Sequence, residues 1–125
     1  MREIKFRGQR VDNDKWIYGD LKRVNDNRFG GQYHYIFVDV DDPEEHGEEI
    51  WVNPITIGQY TGLRDKNGVE IYDGDIDKSG NVIKWNSEKA MFALYNKENH
   101  LMSWPLFGKE IEVISNIHSN PELLK

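Results

Sequence analysis

The sequence contains no cysteine. Disulfides and thiolate metal sites are therefore excluded, and a reducing compartment is permitted without being required. No apolar run approaches the roughly 18 residues that a membrane span needs. The opening "MREIKFRGQ" has charges with no apolar stretch behind them, so it does not read as a signal peptide. No Asn-x-Ser/Thr acceptor occurs. Together these absences predict a soluble cytoplasmic protein. Apolar residues make up only 38% of the chain, below the usual globular range.

Catalytic and metal signatures are also missing. The histidines are His34, His46, His100 and His118, and none lies within five residues of another. No HExxH spacing, no phosphate-cradling loop and no G-x-S-x-G elbow is present. The acidic cluster Glu44, Glu45, His46, Glu48, Glu49 lacks the ordered spacing of a calcium loop. No cofactor is implied, and neither is a bound metal.

Aromatic residues are plentiful: four Trp, six Tyr and five Phe. Each buries more area than an aliphatic side chain, so a core is still within reach. The 125 residues fit one domain, or two small lobes sharing a core. A soft boundary near Tyr60 separates an N-terminal segment, 1–60, from a C-terminal part, 61–125. The net charge of −6 is uneven. Residues 39–49, "DVDDPEEHGEE", hold seven acids and no base, and the rest is near neutral. Global attraction to nucleic acid does not follow from the total.

Strand patterns dominate. "EIKFR" alternates Ile4 and Phe6 with charged neighbours, the period of a half-buried strand. In "KWIYGDLKRV", Trp16 and Tyr18 share one side and Ile17 takes the other. In "QYHYIFVDV", Tyr33, Tyr35 and Phe37 oppose His34, Ile36 and Val38, as an interior strand would. "NDNRFGG" and the acidic run read as exposed loops. Pro54 either breaks the extended "EIWVNPITIGQY" or starts one helical turn. "NVIKW", "AMFALY" and "EIEVISNI" are further strands. Lys78–Asn81, Asn86–Lys89 and residues 96–100 read as short connections. "RDKNGVEIYDGDI" reads as turn, strand, turn, with Asn67-Gly68 suited to a type I′ hairpin and Gly74 to a second reversal. Asn120 and Pro121 predict a capped closing turn.

Candidate site residues follow from composition. Arg2, Lys5, Arg7, Arg10, Lys15, Lys22 and Arg23 interleave with Phe6, Trp16 and Tyr18, a pattern that could bind single-stranded nucleic acid. Trp51, Trp85 and Trp104 could line a peptide groove or fill a core. Arg7, Lys22, Trp51, Trp85 and Trp104 are thus the candidate partner-binding residues. Asp73 and Asp75 could share a catalytic site, although aspartates on a turn more often bond their own backbone.

Three motifs lie in order along the chain: "REIKFRG", "ITIGQYTGLRDKNGVEIYDGDI" and "IEVISNIHSNPELL". They resemble the opening, central signature and ending of the YopX family. Two departures stand out. Gln9 replaces the tryptophan usual after the opening motif, and Ser115 replaces a glycine in the ending. The resemblance implies a phage- or prophage-encoded protein. It also implies a mainly β fold, with a small antiparallel barrel of Src-homology-3 type in the C-terminal part, packed with an N-terminal β segment. It supplies no catalytic residues. A non-catalytic protein-binding or self-associating module is the leading expectation. Nucleic-acid binding through the basic N-terminal face is the alternative, and a hydrolase is the third.

Overall fold

The computed structural model describes residues 3–26, 31–38, 48–103 and 106–124. These residues form strands and short 3₁₀ turns, and no α-helix occurs among them. The strands are β1 (Phe6–Gln9), β2 (Trp16–Asp26), β3 (Gly31–Val38), β4 (Glu48–Trp51), β5 (Gly58–Arg64) and β6 (Glu70–Tyr72). They continue as β7 (Asp75–Asp77), β8 (Val82–Asn86), β9 (Met91–Tyr95), β10 (Leu101–Ser103) and β11 (Val113–Asn116). Two antiparallel sheets result, ordered β4-β3-β2-β1-β5-β6 and β10-β9-β8-β7-β11.

Neither sheet closes into a barrel among the described residues. The expected barrel of Src-homology-3 type is thereby corrected to an open sheet edged by β10 and β11. Closure needs edge strands with matching tilt and stagger. Both edges are irregular here. The register shifts between Leu101 and Ser103 on β10 and between Val113 and Ser115 on β11. Such shifts bend a strand locally, and the edge strands β10 and β11 do not pair with one another.

The chain divides into two compact units, Glu3–Gln59 and Tyr60–Lys125. In the first, the 11-residue β2 serves two partners in turn. Trp16 to Gly19 pair with β1, and Asp20 to Asp26 pair with β3. The handover falls at Gly19, where a β-carbon would sit 2.1 Å from the carbonyl oxygen of Phe37. The register aligns Leu21, Ile36 and Ile50 across three strands. Directly opposed residues share a face, so this is the inner face, and Ile36 is fully buried there. The alternation predicted for β2 and β3 is present. At the N-terminus the strand begins only at Phe6. Ile4 precedes it and is 64% exposed, so the half-buried strand expected to start at Glu3 is shorter.

The choice left open at Pro54 resolves to a 3₁₀ turn, Pro54–Thr56. The side chain of Asn53 accepts the N–H of Ile55, and the missing proline donor costs nothing at that position. Thr56 Oγ1 then accepts the N–H of Gln9 at 2.9 Å and donates to Asn53 O at 2.6 Å, tying this turn to β1.

The second unit buries Ile71, Ile83, Phe92, Leu106 and Ile111 as one cluster, with Leu94 and Val113 packed against it. One turn design recurs three times around it. Asp65, Asp77 and Asn96 each accept, through one side-chain oxygen, the N–H groups two and four residues on. The fourth residue of each turn, Gly68, Gly80 or Asn99, has positive φ. Asparagine and glycine tolerate that region best. This corrects the type I′ expectation at Asn67-Gly68. A type I′ turn needs positive φ at both central residues, and here Gly68 has it (83°) while Asn67 does not. The carboxylate of Asp65 organises a five-residue turn instead.

Two of these turns hold the segment before β11. Lys66 N donates to Ile111 O (3.0 Å), and Lys78 N donates to Glu112 O (2.8 Å). Both lysine ammonium groups reach the Glu112 carboxylate, at 3.9 and 3.7 Å. The closing turn, Pro121–Leu124, forms as expected. The cap differs, because the Asn120 side-chain oxygen accepts the Ser115 hydroxyl. Its amide donates to Glu122 (2.8 Å). Ser115 itself lies on β11 and is not among the residues with positive φ, so the position does not demand the glycine usual in the family.

Candidate functional site

The register of the first unit also builds its second face. Lys22 stands opposite Tyr35, which stands opposite Trp51. Phe37 stands between Asp20 and Glu49, and Tyr18 stands opposite Arg7. Alternation along each strand then gathers Tyr18, Tyr33, Tyr35, Phe37 and Trp51 on one side. Trp51 is the centre of contact. Its ring lies 4.6 Å from that of Tyr33 and 5.2 Å, edge-on, from that of Tyr35. Such tilted and edge geometries suit the aromatic quadrupole. Trp51 nevertheless remains 45% exposed. It is a large apolar surface held rigid by two neighbours and still open to solvent.

The candidate cations take different positions. Arg7 is only 6% exposed, and its guanidinium lies 4.9 Å from the centre of the Trp16 ring. Lys22 is exposed, and its ammonium bonds Glu49 at 2.8 Å. That bond and the carboxylate charge hold the Lys22 pKa above its ordinary value. Arg10 is bound by both oxygens of Asp12, at 2.9 and 2.8 Å. The bidentate pair lowers the Asp12 carboxyl below its usual range. Of these three cations, Arg7 is buried, and Lys22 and Arg10 are each paired with a carboxylate.

Trp85 sits in the second unit, 45% exposed, with its ring 5.0 Å from Phe92 in an edge-on contact. Trp104 lies outside the described residues, as do positions 27–30 of the first predicted loop and 39–47 of the acidic run. Glu48 and Glu49 of that run open strand β4. So Arg7, Lys22 and Trp51 share one sheet, while Trp85 belongs to a separate unit. Sequence reasoning missed the participation of Tyr33 and Tyr35 with Trp51. The alternation in "QYHYIFV" put both tyrosines on one face, but only the strand register brings Trp51 to them.

Asp75 is almost fully buried, and its carboxylate accepts the N–H of Tyr72 at 2.8 Å across the turn at Gly74, whose φ is 91°. This is the backbone role expected of aspartate on a turn. No group of three His, Cys, Asp or Glu able to hold a metal occurs among the described residues. Nor is any helix among them long and apolar enough to cross a membrane.

A pair of open antiparallel sheets, one bearing an exposed aromatic ridge at its edge, places the protein in the mainly β class. The family described as YopX protein matches residues 5–125, and the chain belongs to that family. The crystal structure of protein EF1440 from Enterococcus faecalis is similar in fold, with a TM-score of 0.59 over 100% of both chains at 22% identity. No curated protein matches the chain.

Proposed function

We propose that the protein is a non-catalytic binding module, phage- or prophage-encoded and cytoplasmic, that engages a protein partner through the first unit's aromatic face. The observation that carries this reading is Trp51. A tryptophan packed against two tyrosines yet 45% exposed is costly to leave in water. Rigid aromatic anchors of this kind dominate binding energy in protein interfaces. Self-association is a form of the same reading. Nucleic-acid binding gains less support, since Lys22 and Arg10 are already neutralised by Glu49 and Asp12.

The test uses Trp51→Ser. Trp51 packs at the surface, so its removal should leave the thermal midpoint within a few degrees. Capture of partner from host lysate, or of a second copy measured by light scattering, should fall at least about tenfold, the loss typical of a hot-spot residue. Equal capture by both proteins would remove the aromatic face from consideration. A wild-type chain that is monomeric at high concentration and recovers no partner would end the reading altogether.

A further inference from the structure

The pairing of β1 with β2 runs only as far as Phe6 opposite Gly19. Past Gly19, β2 continues with β3 as its partner among the described residues. Residues 3–5 therefore leave β2 where the sheet itself goes on. An open cleft of about 250 Å³ lies between the two. Ile4 and Lys5 line it from the departing segment, and Tyr18, Asp20 and Phe37 line it from the sheet. Gly19 lies between Tyr18 and Asp20 and adds no side chain to fill it.

Asp20 stands directly opposite Phe37, and Tyr18 precedes Asp20 by two residues on the same strand. The three side chains thus share one face. Tyr18 and Phe37 take diagonal positions, which in a sheet are about 7–8 Å apart. A planar group in contact with a ring on each side takes about 7 Å. Both rings are open, at 47% and 37% exposure. The nearby lysines have carboxylates of their own. The Lys5 ammonium lies 3.3 Å from Glu3, and that of Lys22 bonds Glu49 at 2.8 Å. Asp20 is exposed and makes no side-chain hydrogen bond or ion pair among the described residues. One carboxylate, set between two aromatic side chains, is left over for a cation. The chemistry then separates the cations. A quaternary ammonium has no N–H to give the carboxylate. A lysine ammonium is a compact point charge with no face to lay against a ring. A guanidinium is planar, stacks on aromatic faces and presents a fork of donors that fits a carboxylate.

We propose that this cleft receives an arginine side chain of the partner protein, its guanidinium laid against the Tyr18 and Phe37 rings and hydrogen-bonded to Asp20. This rests on the reading of the protein as a binding module and names the chemistry of the partner's anchor. The cleft belongs to the face that carries Trp51. Glu49 stands opposite Phe37, and Trp51 follows two residues along β4. A partner seated on Trp51 therefore meets the cleft on the same surface, and arginine is among the residues that dominate such contacts.

The test titrates the full chain with an acetylated, amidated Gly-Arg-Gly peptide, read by backbone amide NMR at low salt. The amides of Gly19, Asp20 and Phe37 should shift and saturate. Citrulline in place of the arginine keeps the shape without the charge, and it should weaken binding about fivefold or more. Lysine in that place should also bind more weakly, since it lacks the planar fork. Asp20→Asn lies at an exposed position, so it should keep the thermal midpoint and lose about fivefold in peptide binding. Phe37→Leu keeps an apolar side chain without the ring and should weaken binding as well. Equal binding by the citrulline or lysine peptide, or by the Asp20→Asn protein, would overturn the proposal. So would tighter binding of tetramethylammonium, which would make the cleft a cage for alkylated ammonium groups. If the arginine peptide shifts none of these amides while Trp51-dependent capture persists, the arginine site falls and the binding module stands. If the peptide binds as expected while Trp51→Ser leaves capture whole, the arginine site stands and the role of Trp51 falls. If both fail, both fall.

Discussion

Replacing Asp65 by alanine lowers the free energy of unfolding by about 3 kcal/mol. The carboxylate is 4% exposed and accepts three backbone donors. Its Oδ1 takes Asn67 N (2.8 Å) and Val69 N (2.9 Å), and its Oδ2 takes Val113 N (3.0 Å). Alanine leaves all three donors without this acceptor. A buried donor without a partner costs far more than the average bond contributes. The charge itself adds a pH dependence. Burial pushes the Asp65 pKa up, but the donors from Val113, Val69 and Asn67, with Lys66 nearby, outweigh it and leave the pKa lowered. A carboxyl lowered in the native state binds fewer protons there than in the unfolded chain. Its contribution is present above the unfolded value of about 4 and is lost as pH falls through the native one. Urea midpoints between pH 7 and pH 2 should therefore drop for the wild type. Asp65→Asn should start lower and drop less. A midpoint unchanged by Asp65→Ala would show that the turn forms without its carboxylate.

Gly19→Val is expected to be at least as damaging, about 3 kcal/mol or more, through crowding. The added β-carbon would meet the Phe37 carbonyl oxygen at 2.1 Å and the Ile36 side chain at 3.2 Å. The oxygen belongs to the backbone, so no rotamer change relieves the contact. One of the two strands must move, and with it the pairing of β2 with β3. Gly68→Ala gives the contrast. Nothing lies within 4 Å of its new β-carbon, and only the φ of 83° opposes the change. That penalty is about 1 kcal/mol. Denaturant curves for the two variants should differ by roughly 2 kcal/mol. Equal losses would mean that β2 and β3 separate at Gly19 with little resistance.

Much of the strand phase was legible because it depends on a period of two residues and nothing more distant. Trp16 and Tyr18 were placed opposite Ile17, and Tyr33 and Tyr35 opposite Ile36, from alternation alone. Features set by a distant partner were not legible. In "REIKFRG" Arg7 reads as part of a basic face open to a partner, yet it is buried beside Trp16. The meeting of Trp51 with Tyr33 and Tyr35 depends on register across β3 and β4. Ile4 looked like a strand residue, but pairing with β2 starts only at Phe6. The turn at Asn67-Gly68 differs from its expected type for a local reason. The dipeptide rule weighs two residues, whereas the side chain that shapes this turn, Asp65, lies two positions earlier. Strand β10 gave no signal at all, because Leu101 and Met102 are adjacent apolar residues without alternation.

The grip of the Asp65 and Asp77 turns on residues 111–113 also has a consequence in time. Closing a turn of five residues takes well under a microsecond. Joining Val113 to Asp65 spans 48 positions and must await the arrival of the far end. On a ribosome adding about 5–20 residues per second, the interval amounts to seconds. Both turns are then finished receptors, each with an unfilled main-chain donor, before their ligand exists. The segment around Ile111 acts as the latch of the second unit, and the moment it emerges sets when that unit can complete its core.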